Sequence, residues 1–144
     1  MAATVNTATG ILKGKMAKVS ANVSGLIELV ITIAIPDGQA GAQSACEPPN
    51  MVGPPQPGRS FSVTYISVFC RVPAGQQAHS MVSTDFGGQW FALFHQGTFD
   101  GYDIYVCSQP TSFTIPPTDS FFATTRSGTD GAANVLIHFS GTFF

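Results

Sequence analysis

Between residues 19 and 35 every odd-numbered position is non-polar: Val19, Ala21, Val23, Gly25, Ile27, Leu29, Ile31, Ile33 and Ile35. The even positions include Ser20, Asn22, Ser24, Glu28 and Thr32. Successive side chains of a strand point to opposite faces, so a period of two held this long specifies β-structure with one buried face. Strands are usually about 3–10 residues long, so a bend or break is expected near Gly25. Pro36-Asp37-Gly38 then ends the run with turn chemistry.

The rest of the chain reads in the same way. Over residues 60–72 the apolar phase switches from Phe61, Val63 and Tyr65 to Ile66, Val68, Cys70 and Val72, which predicts a β-bulge at Tyr65-Ile66. Runs at 81–86 and 89–95 flank Gly87-Gly88, a two-residue hairpin signal. Residues 99–108 alternate Tyr102, Ile104 and Val106 against Asp103, Tyr105 and Cys107. Shorter strands are expected at 111–115 and 120–126, separated by Pro116-Pro117. A last strand over 134–143 puts Val135, Ile137, Phe139 and Phe143 on one face. No amphipathic helix and no internal repeat emerges. About eight strands, with one long excursion after the first, predict an all-β chain: an antiparallel β-sandwich, jelly-roll-like. An immunoglobulin-like sandwich fits less well, because Trp90 lies between Cys70 and Cys107 at spacings too short for it.

Two segments stand outside this pattern. Residues 1–18 hold all three lysines, Lys13, Lys15 and Lys18, while the remainder carries three cations (Arg59, Arg71, Arg126) and eight anions. The expected organisation is a basic N-terminal arm over residues 1–18 and a single β-sandwich domain over residues 19–144. The arm either stays solvated or docks on an acidic partner. Residues 36–59 read as a loop holding six of the ten prolines, including Pro48, Pro49, Pro54, Pro55 and Pro57. Unstructured loops beyond about 12–15 residues are uncommon and often functional. The lysines, these prolines and Arg59 are therefore candidate contacts to other subunits.

A chain of 144 residues suits one domain. Charged residues make up only 10% of it, against about 25% in an average soluble domain. Either the surface is dominated by small polar groups, or part of it is covered by other subunits. A net charge of −2 gives no electrostatic reason to expect nucleic acid. The strongest apolar run, residues 26–35, contains Glu28 and is too short to span a bilayer as a helix. The first lysines follow the weakly apolar stretch instead of preceding it, so no secretory signal is read. The expectation is a product made in the cytoplasm that becomes part of a virion or other assembly.

No catalytic constellation emerges. Cys46, Cys70 and Cys107 are odd in number and lack CxxC spacing, which argues against structural zinc. Buried free thiols are expected, with one bridged pair left open. Asp85-Phe86-Gly87-Gly88 reads as a hairpin turn and not as a kinase magnesium motif. His79, His95 and His138 are widely separated and predict no catalytic or metal site. Asp100 and Asp103 flank Gly101 as turn formers, with too few oxygens for calcium. Asn22-Val23-Ser24 fits the glycosylation sequon but falls mid-strand. No cofactor, metal or enzymatic activity is expected.

The aromatic cluster is more pointed. On one hairpin, Trp90 and Phe94 would share a face, with Gln96, Asp100 and Tyr102 close by. Rings beside polar groups suit sugar stacking, so these five residues form a candidate ligand face. The primary expectation is a non-enzymatic structural or assembly protein acting through surface contacts, narrowed to a phage capsid decoration or cement protein. Its partners would be other protein subunits, in a homo-oligomer such as a trimer. The alternative is a carbohydrate-binding, lectin-like β-sandwich.

Overall fold

The alternation over residues 27–35 leaves Ile31, Ile33 and Ile35 fully buried and Thr32 and Ala34 exposed. The structure, a computed structural model, describes residues 2–6, 13–21, 27–45, 59–116 and 120–144. Among these there are eleven strands and no helix. They are β1 (Ala2–Asn6), β2 (Lys13–Ala21), β3 (Ile27–Ile35), β4 (Gly41–Ala45), β5 (Phe61–Pro73) and β6 (Ala78–Thr84). There follow β7 (Gly87–Phe91), β8 (Phe94–Phe99), β9 (Tyr102–Ile115), β10 (Phe121–Arg126) and β11 (Ala133–Phe143). A seven-stranded sheet, ordered β1-β2-β3-β11-β5-β9-β8, and a four-stranded sheet, ordered β4-β10-β6-β7, form an antiparallel β-sandwich, as expected.

The core lies between the sheets. Ile31, Ile33, Ile35, Val135, Ile137, Phe139, Ile66 and Val68 meet Phe122, Val82 and Phe91 of the smaller sheet in one buried cluster. Phe122 is the bridge, its ring 5.4 Å from Phe139 and 6.4 Å from Phe91. Each such buried side chain contributes roughly 1.5–3 kcal/mol.

The phase switch in β5 is a bulge at Thr64, near the position expected. The β5 register shifts between Val63 and Tyr65 against β9, and β11 shifts between Ser140 and Gly141. Thr64 and Tyr65 both face out, and Ile66 resumes the inward phase. Gly141 is obligatory here, because a Cβ on it would lie 1.8 Å from the carbonyl oxygen of Ser62.

Residues 19–35 do divide between two strands, in keeping with the bend or break expected near Gly25: β2 ends at Ala21, β3 begins at Ile27, and these two residues pair antiparallel. Gly25 itself lies outside the described residues. Several expectations are corrected. The segment read as an arm supplies β1 and most of β2. Lys13 pairs with Asn6, Lys15 with Thr4 and Thr32, and Lys18 with Leu29, so all three lysines are ladder residues. The sequence hid this because lysine, glycine and alanine are weak β-formers. The loop expected over 36–59 contains β4, whose Gly-Ala-Gln-Ser-Ala carries no strand signal although Ala42 and Ser44 are buried. Pro48, Pro49, Pro54, Pro55 and Pro57 lie outside the described residues, and Arg59 is exposed just ahead of β5.

The β6–β7 hairpin turns at Asp85-Phe86 and not at Gly87-Gly88, since Thr84 pairs with Gly87. The Thr84 hydroxyl accepts from the Phe86 amide at 3.1 Å and donates to the Gly87 carbonyl at 3.2 Å. The positive φ falls one position later, on Gly87 (121°). Residues 102–115 form one strand where two were expected. Pro110 is tolerated in β9 because it lies beyond the stretch that β8 pairs, opposite Tyr65 on one side only.

Candidate functional site

The run 89–95 does not form one strand, because the chain changes sheets at Ala92-Leu93. Phe91 ends β7 buried under the small sheet, and Phe94 begins β8 at the edge of the large one. Trp90, paired with Met81, therefore lies on the outer face of the small sheet. Phe94, paired with Val106, lies on the outer face of the large sheet. The expected shared face of Trp90 and Phe94 is thus absent. The other three candidates stay with Phe94 on the β8–β9 hairpin. Gln96 is exposed where the register shifts between His95 and Gly97. Asp100 and Gly101, with φ of 50° and 79°, make the two-residue turn. Tyr102 lies under the Arg71 guanidinium, 3.6 Å from its ring centroid.

What the sheet change does create is a cleft. Between the start of β6 and the β8–β9 hairpin lies an open space of about 500 Å³, lined by Gln77, Ala78, His79, Leu93, Phe94, His95 and Tyr105. On one wall His79 meets the Trp90 ring edge-on, with centroids 6.4 Å apart. On the other, His95 is tilted against Tyr105 at 5.2 Å. Tyr105 is fixed by its hydroxyl, which donates to the Gln76 carbonyl at 3.0 Å. Burial, and then the neighbouring Asp103 charge, raise the Tyr105 pKa.

Asp103 organises this wall. Its carboxylate accepts from the Thr98 hydroxyl at 2.5 Å, the Gly75 amide at 2.8 Å and His95 Nε2 at 3.2 Å. These bonds hold the carboxyl below its ordinary range, Thr98 contributing most, then Gly75 and His95. From the sequence, Asp103 reads as a turn former, and His79 and His95 have no joint role. A signal was present: the Asp100-Gly101 turn sets Thr98 opposite Asp103, and the slip at Gln96 then brings His95 opposite Tyr105.

A carboxyl whose pKa falls on folding stabilises the fold in full above its unfolded value, and that stability is lost as pH falls through the lowered value. The urea midpoint should therefore drop as pH is lowered from the ordinary carboxylate value of 3.8. Asp103→Asn should flatten this dependence; an unchanged slope would show that the Asp103 bonds do not stabilise the hairpin.

The described residues contain no group of three or more His, Cys, Asp or Glu able to hold a metal ion. Cys70 and Cys107 are buried free thiols on neighbouring strands. Burial, with Cys107 nearby, pushes the Cys70 thiol up to about 12, and burial raises Cys107 as well. Both are thus poor nucleophiles at neutral pH. Cys46 lies outside the described residues. No described helix is long and apolar enough to cross a membrane.

No protein-family model matches the chain, and no curated protein matches it. Among solved structures, it is similar to the CBM22-1–GH10 modules of Clostridium thermocellum endo-1,4-beta-D-xylanase 10B complexed with xylohexaose, at 11% identity and a TM-score of 0.38. That match covers 98% of this chain and 26% of the other, so the chain spans about a quarter of that protein's length. The Schizosaccharomyces pombe Cnp3 cupin domain matches at 12% identity and a TM-score of 0.27, over 92% of this chain and 65% of that one. The C-terminal family 22 carbohydrate-binding module of Clostridium thermocellum Xyn10B matches at 13% identity and a TM-score of 0.32, over 98% and 84%.

Proposed function

We propose that the protein binds carbohydrate, without turning it over, in the cleft between β6 and the β8–β9 hairpin. One observation carries this reading: the cleft brings rings and hydrogen-bonding groups together, Phe94, His95 and Tyr105 with Gln77 and His79. A sugar ring has apolar C–H faces and a rim of hydroxyls, so aromatic stacking and a few polar contacts suit it together. The volume of about 500 Å³ falls within the roughly 300–1,000 Å³ typical of ligand sites. The reading rests on this cleft and not on the likeness to other structures.

Calorimetry against soluble neutral oligosaccharides chosen from a glycan array tests it. His79→Ala and Phe94→Ala should each weaken binding about tenfold, equivalent to ~1.4 kcal/mol. Leu136→Ala, on the outer face of the large sheet, should not. Binding to no glycan, or full affinity in both ring variants, would reject the reading.

A second reading, self-association, is favoured by a separate observation. On the outer face of the seven-stranded sheet, Leu136, Phe69, Val106 and Phe94 lie side by side across β11, β5, β9 and β8. Leu136 is 43% exposed, Phe69 40% and Phe94 62%. Three inter-strand spacings of about 4.8 Å make this row ~14 Å wide. With strands of up to 14 residues, it offers on the order of 600 Å² per partner, near the lower end of the ~1,200–2,000 Å² total of specific interfaces. The partner we assign is a second copy of this chain. Sedimentation velocity should show a dimer that Phe69→Asp dissociates; a monomer at every concentration would exclude it. Nothing among the described residues singles out a capsid lattice as a partner.

A further inference from the structure

We infer that His95 makes the cleft selective for neutral glycans over glycans bearing carboxylate or sulfate groups, an inference that rests on the carbohydrate-binding reading above. Hydrogen bonding at Asp103 fixes which nitrogen of His95 carries a proton. Its carboxylate receives the Thr98 hydroxyl, the Gly75 amide and His95 Nε2. An ionised carboxylate only accepts, so the Nε2 of His95 must carry a ring proton. Nδ1 of the neutral imidazole is then an acceptor. Among the described residues Nδ1 has no partner, and the His95 side chain, 48% exposed, lines the cleft.

The cleft wall therefore offers a lone pair backed by a fixed negative charge. A sugar hydroxyl satisfies it by donating. A carboxylate or sulfate at the same place sets acceptor against acceptor, with Asp103 behind, and no lysine or arginine lines the cleft. The groups facing His95 are Thr98 on its own strand, Asp103 and Tyr105 on β9, Gly75 in the turn after β5, and Gln77 and His79 at the start of β6. The nearby cations point elsewhere. Arg71 lies over Tyr102 on the outer face, and Arg126 is directed to the carbonyls of Pro36, Gln39, Thr129 and Asp130 and to the Gln76 side chain.

Selectivity should consequently depend on pH. When His95 takes up a second proton, Nδ1 becomes a donor and the ring a cation, which removes the bar to anionic groups. Sugar hydroxyls, which both donate and accept, are less affected. His79 also lines the cleft, and His79→Gln serves as the control for its share.

The test uses the intact protein, with the best neutral oligosaccharide from an array and its uronate-bearing counterpart. Calorimetry at about pH 8 and about pH 5.5 brackets imidazole titration. The neutral glycan should bind about tenfold tighter at the higher pH, and the gap should narrow in acid. His95→Asn, which keeps an acceptor near the Nδ1 position, should hold the preference but lose its pH dependence. Asp103→Asn should shrink the preference itself. Should that variant fail to fold, the pH series and His95→Asn still decide. Anionic glycans binding as tightly at about pH 8, or a pH dependence intact in His95→Asn, would overturn the selectivity while leaving carbohydrate binding in place. Binding of no glycan at all would overturn both.

Discussion

Replacing Arg126 with methionine is expected to destabilise the fold by about 3–5 kcal/mol, because several buried oxygens lose their donors at once. Arg126 is 4% exposed. Nε donates to the Gln39 carbonyl at 2.8 Å, Nη1 to the Asp130 carbonyl at 3.2 Å and Gln76 Oε1 at 3.3 Å, and Nη2 to the carbonyls of Thr129 at 2.7 Å and Pro36 at 3.1 Å. The loops after β3, β5 and β10 all converge on this one guanidinium. Methionine has similar length but leaves these oxygens without donors. Arg126→Lys should recover little, because an ammonium is a compact charge and cannot match a planar fork reaching acceptors in several directions. Urea denaturation measures both. A loss below about 1 kcal/mol for methionine would show that water replaces the guanidinium freely.

The second large effect distinguishes the two faces of β3. Ile31 is fully buried, between Met16 of β2 and Ile137 of β11 in the ladder. Ile31→Asp places an unpaired charge there and should abolish folding. Thr32, its neighbour, is exposed and pairs with Lys15 and Leu136. Thr32→Asp should change stability by no more than about 1 kcal/mol. Far-ultraviolet circular dichroism with urea titration separates these outcomes, and equal stability of the two variants would contradict the assigned strand phase.

The buried faces of β3, β5 and β11 were legible because isoleucine, valine and phenylalanine recur at period two where one face meets the core. The bulge in β5 was legible for the same reason: an extra residue shifts the phase. What escaped the sequence was structure built from residues without that signature. β2 is rich in lysine, and β4 is built from small residues; each is specified by its neighbours in the sheet and not by its own propensity. The candidate site was harder still. Trp90 and Phe94 share a period-two phase that assumes one continuous strand, and the sheet change at Ala92-Leu93 breaks that assumption. The His95–Asp103 bond depends on a turn and a register slip acting together, and His79 reaches the same cleft only through sheet stacking. Pairings of that kind are fixed by tertiary geometry, which periodicity does not record.

The most direct test of the account is amide chemical-shift mapping of the intact protein during titration with the neutral oligosaccharide that binds best on an array. The account predicts saturable shifts concentrated at Gln77, Ala78 and His79, at Trp90 through His95, and at Asp103 and Tyr105. Shifts confined to the outer-face residues Phe69, Leu136 and Tyr65, or no saturable shift with any glycan, would contradict it.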